Sequence, residues 1–240
     1  MGNLGILAVE GTDAATFLQG YVTADLDLVE SSQAMPMAVT DIKGRVLANG
    51  WAYGNSECVR LVMHSSLLTG TEQHLGRYMI FSRSRVRQLD QAMDLSAISS
   101  TDGIVLQPMQ WRLRAQDSNS SNWPDLTVDE QLPLVTHETS GMFLPQMLGL
   151  TEHGVVNFTK GCYLGQEVIA RAQHRGAVKR RIQRYKIKNG KLQLAERLSA
   201  ENGSNGVVVA CSASHALVVV NGAPQNLTSE NGADLVLTPS

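Results

Sequence analysis

The stretch Lys160-Gly161-Cys162-Tyr163-Leu164-Gly165-Gln166-Glu167 sets one cysteine between two glycines, beside a lysine, at a point where a helix begins. Downstream, the run from Gln166 to Gln173 holds no breaker and spaces Val168, Ile169 and Ala172 as one helical face, so a tight loop feeding a helix is predicted. Cys162 then lies near the positive end of that helix. Unpaired N–H groups and the macrodipole favour a thiolate there, and Lys160 adds positive charge, which together predict a reactive sulfur. A cysteine also serves as a small buried hydrophobe. That role does not require flanking glycines, a lysine and a tyrosine.

Working outward, 240 residues suffice for one large domain or two to three small ones. A hydrophobic content of 43% against 18% charged describes a soluble globular chain and excludes a disordered one. The stretch Met1 to Leu7 lacks a basic region and a long apolar run, and no segment approaches the roughly 20 apolar residues of a membrane span, so a cytoplasmic protein without a membrane partner is expected. Cys58, Cys162 and Cys211 are odd in number and far apart, without a C-x-x-C pair. That spacing argues against a disulfide framework, a structural zinc or an iron–sulfur cluster held by this chain alone, and no metal ligand set is expected.

The formal charge of −2 is unevenly spread. Between Lys160 and Arg184 stand seven basic residues (Lys160, Arg171, Arg175, Lys179, Arg180, Arg181, Arg184) and one acid, Glu167, which leaves the rest of the chain at about −8. Such a run forms a solvated face or a pocket for an anion. With no RNA-recognition signature beside it, no direct nucleic-acid partner is expected.

The coarse pattern alternates strands and helices. Ile6 to Val9 reads as a strand, followed by a turn and a helix capped by Thr12 or Asp13 with Ala14, Phe17 and Leu18 on its apolar side. Met35 to Val39 and Arg45 to Tyr53 flank the turn Asp41-Ile42-Lys43-Gly44, a hairpin. Val59 to Met63 is a strand, Ser65 caps a helix running towards Tyr78, and Ser84 to Leu89 is the next strand. The polar run 117–122 reads as an exposed linker. After Arg181, runs such as Val207-Val208-Val209-Ala210 and Ala216-Leu217-Val218-Val219-Val220 alternate with Asn-Gly turns, which predicts a small antiparallel barrel.

Lys160 to Glu167 matches K-G-C-Y-x-G-Q-E, and the chain resembles the YgfZ family of folate-binding proteins, relatives of the aminomethyltransferase (T-protein) of the glycine cleavage system. The likeness extends to Phe17-Leu18-Gln19-Gly20 with Thr23-Ala24-Asp25, to Asp41 through Val46, to Ser140 through Gln146, and to Arg171 with Arg175-Gly176. The resemblance implies an α+β, aminomethyltransferase-like fold: three subdomains in a ring around a channel that takes tetrahydrofolate or a one-carbon derivative, the last subdomain a small antiparallel β-barrel. It divides the chain into a folate-binding core (1–50 and 121–175), a trimmed ferredoxin-like subdomain (51–120) and the C-terminal barrel (176–240). The implied role is assembly or repair of iron–sulfur enzymes, including those that thiolate tRNA, with such enzymes or assembly proteins as partners and no established turnover.

On the same resemblance Trp123 falls at a folate-contacting tryptophan and Asp129 at the carboxylate that meets the pterin's paired N–H groups, with Glu130 beside it. Tyr163, Glu167, Arg171 and Arg175 join them on the folate side, the arginines attracting the glutamate tail, while Cys162 and Lys160 carry the chemistry. Asp41 is a proton-handling carboxylate or a turn former. Two departures stand out: the stretch from Asp90 to Ser120 is shorter than in the family, and Leu4 replaces an N-terminal folate tryptophan. Three functions stay open: thiol chemistry beside a folate, a folate-sensing adaptor without catalysis, and aminomethyl transfer, the last weakened by the missing setting of its catalytic aspartate.

Overall fold

The computed structural model describes residues 3–97, 103–106, 111–116, 123–176 and 178–238, so the linker expected at 117–122 lies outside the described residues. Two closed barrels make up most of it. The first is built from β1 (Leu4–Gly11), β2 (Gln33–Thr40), β3 (Val46–Asn55), β4 (Cys58–His64), β5 (Ser84–Ala97), β6 (Ile104–Leu106) and β7 (Trp111–Ala115). Their order is β1-β4-β3-β2-β6-β7-β5, closing back on β1, with every pairing antiparallel except β2 with β6. Strands from 1–50 and from 51–120 therefore share one barrel. The strand-helix-strand unit expected at 59–89 is present as β4, a helix and β5.

The apolar run Leu4 to Val9 is buried at every position, because the barrel core takes one face and helices cover the other. α1 (Ala14–Gln19) follows β1, and α2 (Leu68–Gly76) lies on it so closely that a Cβ on Gly5 would meet Leu68 at 2.7 Å. Each leucine or valine so buried stabilises by about 1.5–3 kcal/mol relative to exposure.

The helix starts differ from expectation. Ser65 to Leu67 is a single 3-10 turn capped by His64, whose ring accepts the Ser66 N–H, and α2 begins only at Leu68. Asp13 does precede α1, but its carboxylate leaves the helix uncapped and accepts instead from the Ser82 hydroxyl at 3.1 Å, the Arg83 N–H at 2.9 Å and the Ser84 hydroxyl. A cap bond within α1 is thereby exchanged for a tie to the start of β5. The hairpin turn behaves as predicted: Asp41 Oδ1 accepts the N–H groups of Lys43 and Arg45, both at 2.8 Å, so its carboxylate shapes the turn.

α3 (Trp123–Asp129) and α4 (Gln166–Arg175) precede the second barrel. That barrel comprises β8 (Arg180–Asn189), β9 (Arg197–Ser199), β10 (Asn205–Cys211), β11 (His215–Asn221), β12 (Asn226–Ser229) and β13 (Asp234–Leu237), all antiparallel in the order β10-β11-β8-β13-β12-β9. Gly203, Gly222 and Gly232 supply the positive φ that its Asn-Gly turns need. The valine runs of β10 and β11 are buried on both faces. Val208, Val218 and Val220 fill the second barrel with Tyr185, whereas Val207, Val209, Leu217 and Val219 join the core of the first unit. Unbroken apolar runs in these strands thus signal a strand wedged between two cores.

Candidate functional site

The signature segment is held from both sides while its cysteine stays free. Asn157 Oδ1 accepts the N–H of Lys160 at 2.9 Å, a local turn that delivers the lysine. The Lys160 ammonium is buried and donates to the carbonyls of Gln19 (2.8 Å), Val22 (2.9 Å) and Ala24 (2.6 Å). Burial pulls its pKa down to about 8, opposed by Asp25 and Asp27. Leu164 donates its N–H to Gly20 O at 2.9 Å and accepts the Thr40 hydroxyl at 2.6 Å. Between these anchors Gly161 and Cys162 are exposed.

α4 starts beyond the cysteine, with Gly165 at its N-cap. Gly165 sits at φ +84°, and a Cβ there would meet Asp41 O at 2.3 Å and Gly44 Cα at 2.9 Å, so the hairpin turn and the signature loop touch backbone to backbone. Of the expected helix face only Ile169 is buried, and Val168 is exposed, although both lie against the turn at Gly44. Cys162 accordingly lies outside the first turn, where the dipole acts, and the Lys160 charge is spent on carbonyls. Tyr163 is buried, its ring 5.4 Å from the Lys160 ammonium, its hydroxyl without a hydrogen-bond partner among the described residues and its pKa pushed up to about 12 by burial.

A cavity of about 380 Å³ opens elsewhere, at the junction of the two barrels. Trp123 and Thr127 of α3, His64 at the end of β4, Thr136 and Glu138 of the following loop, and Cys211 of β10 line it. Trp123 is 6% exposed, with its ring edge-on to His64 at 5.5 Å. The wall bearing Thr136 is fastened by Asn49, a buried amide of β3 that donates to Pro133 O (2.9 Å) and accepts the Val135 N–H (2.8 Å). Ser66 accepts the His137 N–H at 3.0 Å and lies 2.7 Å from His64 Nδ1, which also takes the Ser66 N–H. Because Nδ1 accepts the Ser66 N–H, it carries no proton; the Ser66 hydroxyl therefore donates to it as well, and His64 is the neutral tautomer with Nε2–H as donor. Burial lowers the His64 pKa, against the opposing charge of Glu138.

The sequence-predicted residues are therefore dispersed. Trp123 lines the cavity; Asp129 does not, and pairs with Arg184 at 2.7 Å. Glu167 pairs with Arg171 one turn along α4. Cys162, Lys160, Tyr163 and Arg175 are all absent from the cavity wall. His64 and Glu138 were missed by sequence reasoning; the only signal was a histidine directly before a predicted Ser cap. In the basic segment, Arg171, Arg181 and Arg184 are ion-paired and Lys160 is buried, so among the described residues the cationic field reduces to Arg175, Lys179 and Arg180. Lys179 and Arg180 border a second groove with Ala172, Asn205 and Asn221. Among the described residues no group of three or more His, Cys, Asp or Glu is placed to hold a metal ion, and no helix is long and apolar enough to cross a membrane.

No protein-family model matches the chain. The tRNA-modifying protein YgfZ of Yersinia pestis (strain Pestoides F) is 27% identical over 218 aligned residues, and that of Photorhabdus laumondii subsp. laumondii is 28% identical. Each match covers 73% of this chain and 66% of the relative, so the chain spans just under two thirds of those proteins. Among solved structures, the glycine cleavage system aminomethyltransferase T from Bartonella henselae superposes with a TM-score of 0.74 at 14% identity, covering 99% of this chain and 83% of that one. The latter likeness bears on the fold, which is α+β and aminomethyltransferase-like with a small antiparallel C-terminal barrel. In sequence, then, the chain is similar to YgfZ proteins, and in fold to an aminomethyltransferase.

Proposed function

We propose that the protein binds a reduced folate, tetrahydrofolate or a one-carbon derivative, in the cavity between its barrels and serves the assembly or repair of iron–sulfur enzymes in the cytoplasm, those that thiolate tRNA among them. The carrying observation is that cavity. It falls within the size range of small-molecule clefts, and it combines a buried indole with one histidine donor and one carboxylate acceptor, a set that suits a flat, polar-edged pterin. When bound, the folate supplies one-carbon chemistry; Trp123 stacks on its ring, while the wall fastened by Asn49 keeps water from one side.

Cys162 is the thiol available for chemistry, and acceptance of a one-carbon unit, carriage of a persulfide and transient ligation of an iron cargo all remain open to it. Arg175, Lys179 and Arg180 form the surface that meets an acidic partner. A second reading, a folate-sensing adaptor without turnover, is favoured by one feature: the thiol does not line the cavity, and its neighbouring ammonium is committed to carbonyls.

The test pairs calorimetry with tetrahydrofolate and 5-formyltetrahydrofolate on wild type and Cys162→Ser with complementation of iron–sulfur-dependent tRNA thiolation. Binding retained by Cys162→Ser with thiolation lost supports thiol chemistry, and both retained supports the adaptor. A wild type that binds neither folate overturns the proposal.

A further inference from the structure

We infer that Glu138 is the carboxylate that reads the paired N–H groups of the pterin edge, and that Asp129, which stands at that position by sequence alignment, does not. The inference rests on the folate reading above and names the recognition residue of that same cavity.

Helix geometry removes Asp129. Six positions separate it from Trp123 on α3, which turns it about 120° around the axis and moves it about 9 Å along it, so the two side chains leave the helix in different directions. The Asp129 carboxylate is already engaged by Arg184 at 2.7 Å.

Glu138, itself an exposed residue, differs from Asp129 in lining the cavity. It is the acid on the cavity wall, sharing that wall with Trp123 and His64. Its Oε2 accepts the Thr136 hydroxyl at 2.6 Å, and Thr136 is itself pinned, its N–H on Thr139 Oγ1 at 3.0 Å and its carbonyl on the Thr139 N–H at 3.1 Å. The carboxylate is thereby oriented before any ligand arrives, with acceptor capacity to spare, since an ionised carboxylate takes about four hydrogen bonds. The Thr136 hydroxyl, and after it the residue's own N–H, holds its carboxyl below the usual carboxylate range, so Glu138 is ionised and purely an acceptor near neutral pH. Beside it, His64 offers Nε2–H as a donor. One acceptor carboxylate next to one donor matches the pyrimidinone edge of a pterin: two adjacent N–H groups followed by a carbonyl. Charge-assisted, bidentate contacts of this kind are the strong ones.

The experiment is calorimetric titration of 5-formyltetrahydrofolate into wild type, Glu138→Gln and Asp129→Asn, repeated with a folate analogue that lacks the 2-amino group. Glu138→Gln is expected to weaken binding of the natural folate by roughly 10- to 100-fold, and Asp129→Asn by less than about twofold. Removing the 2-amino group should weaken binding to wild type by a similar factor yet change little for Glu138→Gln, a non-additivity that a folding defect does not produce. A wild type that binds and a Glu138→Gln that binds as well, or a loss confined to Asp129→Asn, overturns the inference while leaving the folate function standing. A wild type that binds no folate overturns both.

Discussion

The Lys160 ammonium donates to the carbonyl of Ala24 at 2.6 Å, and through this bond and its two companions the signature loop is clasped to the end of α1. A lysine that sequence logic assigns to the neighbouring thiol is instead a buried fastener. Its carbonyl partners favour the ammonium, whereas burial opposes it, and burial prevails enough to bring the pKa to about 8 from the ordinary 10.5. Since the unfolded chain holds this proton more tightly, it binds more protons than the native state between those two values, and stability rises with pH across that window.

Chemical denaturation at several values between about pH 7.5 and 9.5 tests this. Relative to Lys160→Met, wild type should gain stability as pH rises past 8. A flat difference would show that the carbonyls fully compensate burial. In Lys160→Met the three carbonyls lose their donor, and Cys162 should react faster with a disulfide reagent as the loop loosens.

The two glycines of the signature should behave oppositely. Gly165→Ala places a Cβ at positive φ against the Asp41 carbonyl and is expected to cost roughly 2–5 kcal/mol. Gly161 has open space around it, and Gly161→Ala should stay within about 0.5 kcal/mol of wild type. Urea denaturation of the two variants distinguishes them, and equal effects would contradict the backbone contact.

Asn49→Ala strips the Pro133 carbonyl and the Val135 N–H of their buried partner. A loss of about 2–4 kcal/mol is expected in thermal or urea unfolding. Because the freed segment carries Thr136, folate affinity measured in the same preparation should fall as well, although Asn49 does not itself line the cavity.

Asp13 ties the start of α1 to Ser82, Arg83 and Ser84, and hydrogen bonds from the Ser84 hydroxyl first, then the Arg83 N–H, keep its carboxyl below the ordinary value of 3.8. The stability it adds is present above that value and lost as pH falls through the lower native one. Melting curves in acid should therefore show wild type and Asp13→Asn converging as pH drops. A constant gap would mean that the tie acts without its charge.

Local chemistry made much of this fold readable from the chain alone. The turn Asp41 to Gly44, the Asn-Gly turns and the valine runs of β10 and β11 each depend on backbone preference or on contacts a few residues away, and all of them form as the sequence predicts. The signature Lys160 to Glu167 likewise carries the family resemblance, and Trp123 lines a cavity. Readings that needed a partner distant in sequence fared differently: Asp13 bonds beyond residue 80, Lys160 reaches back to α1, and Asp129 is turned away from Trp123. The cavity's histidine and carboxylate, His64 and Glu138, stand 74 positions apart and become neighbours only when the loop after α3 folds across the end of β4. Periodicity and turn residues act within one element and so are written in the order of residues. Which side chains share a pocket depends on barrel closure and on the rotation of each helix about its axis, and these the packing of the whole chain decided.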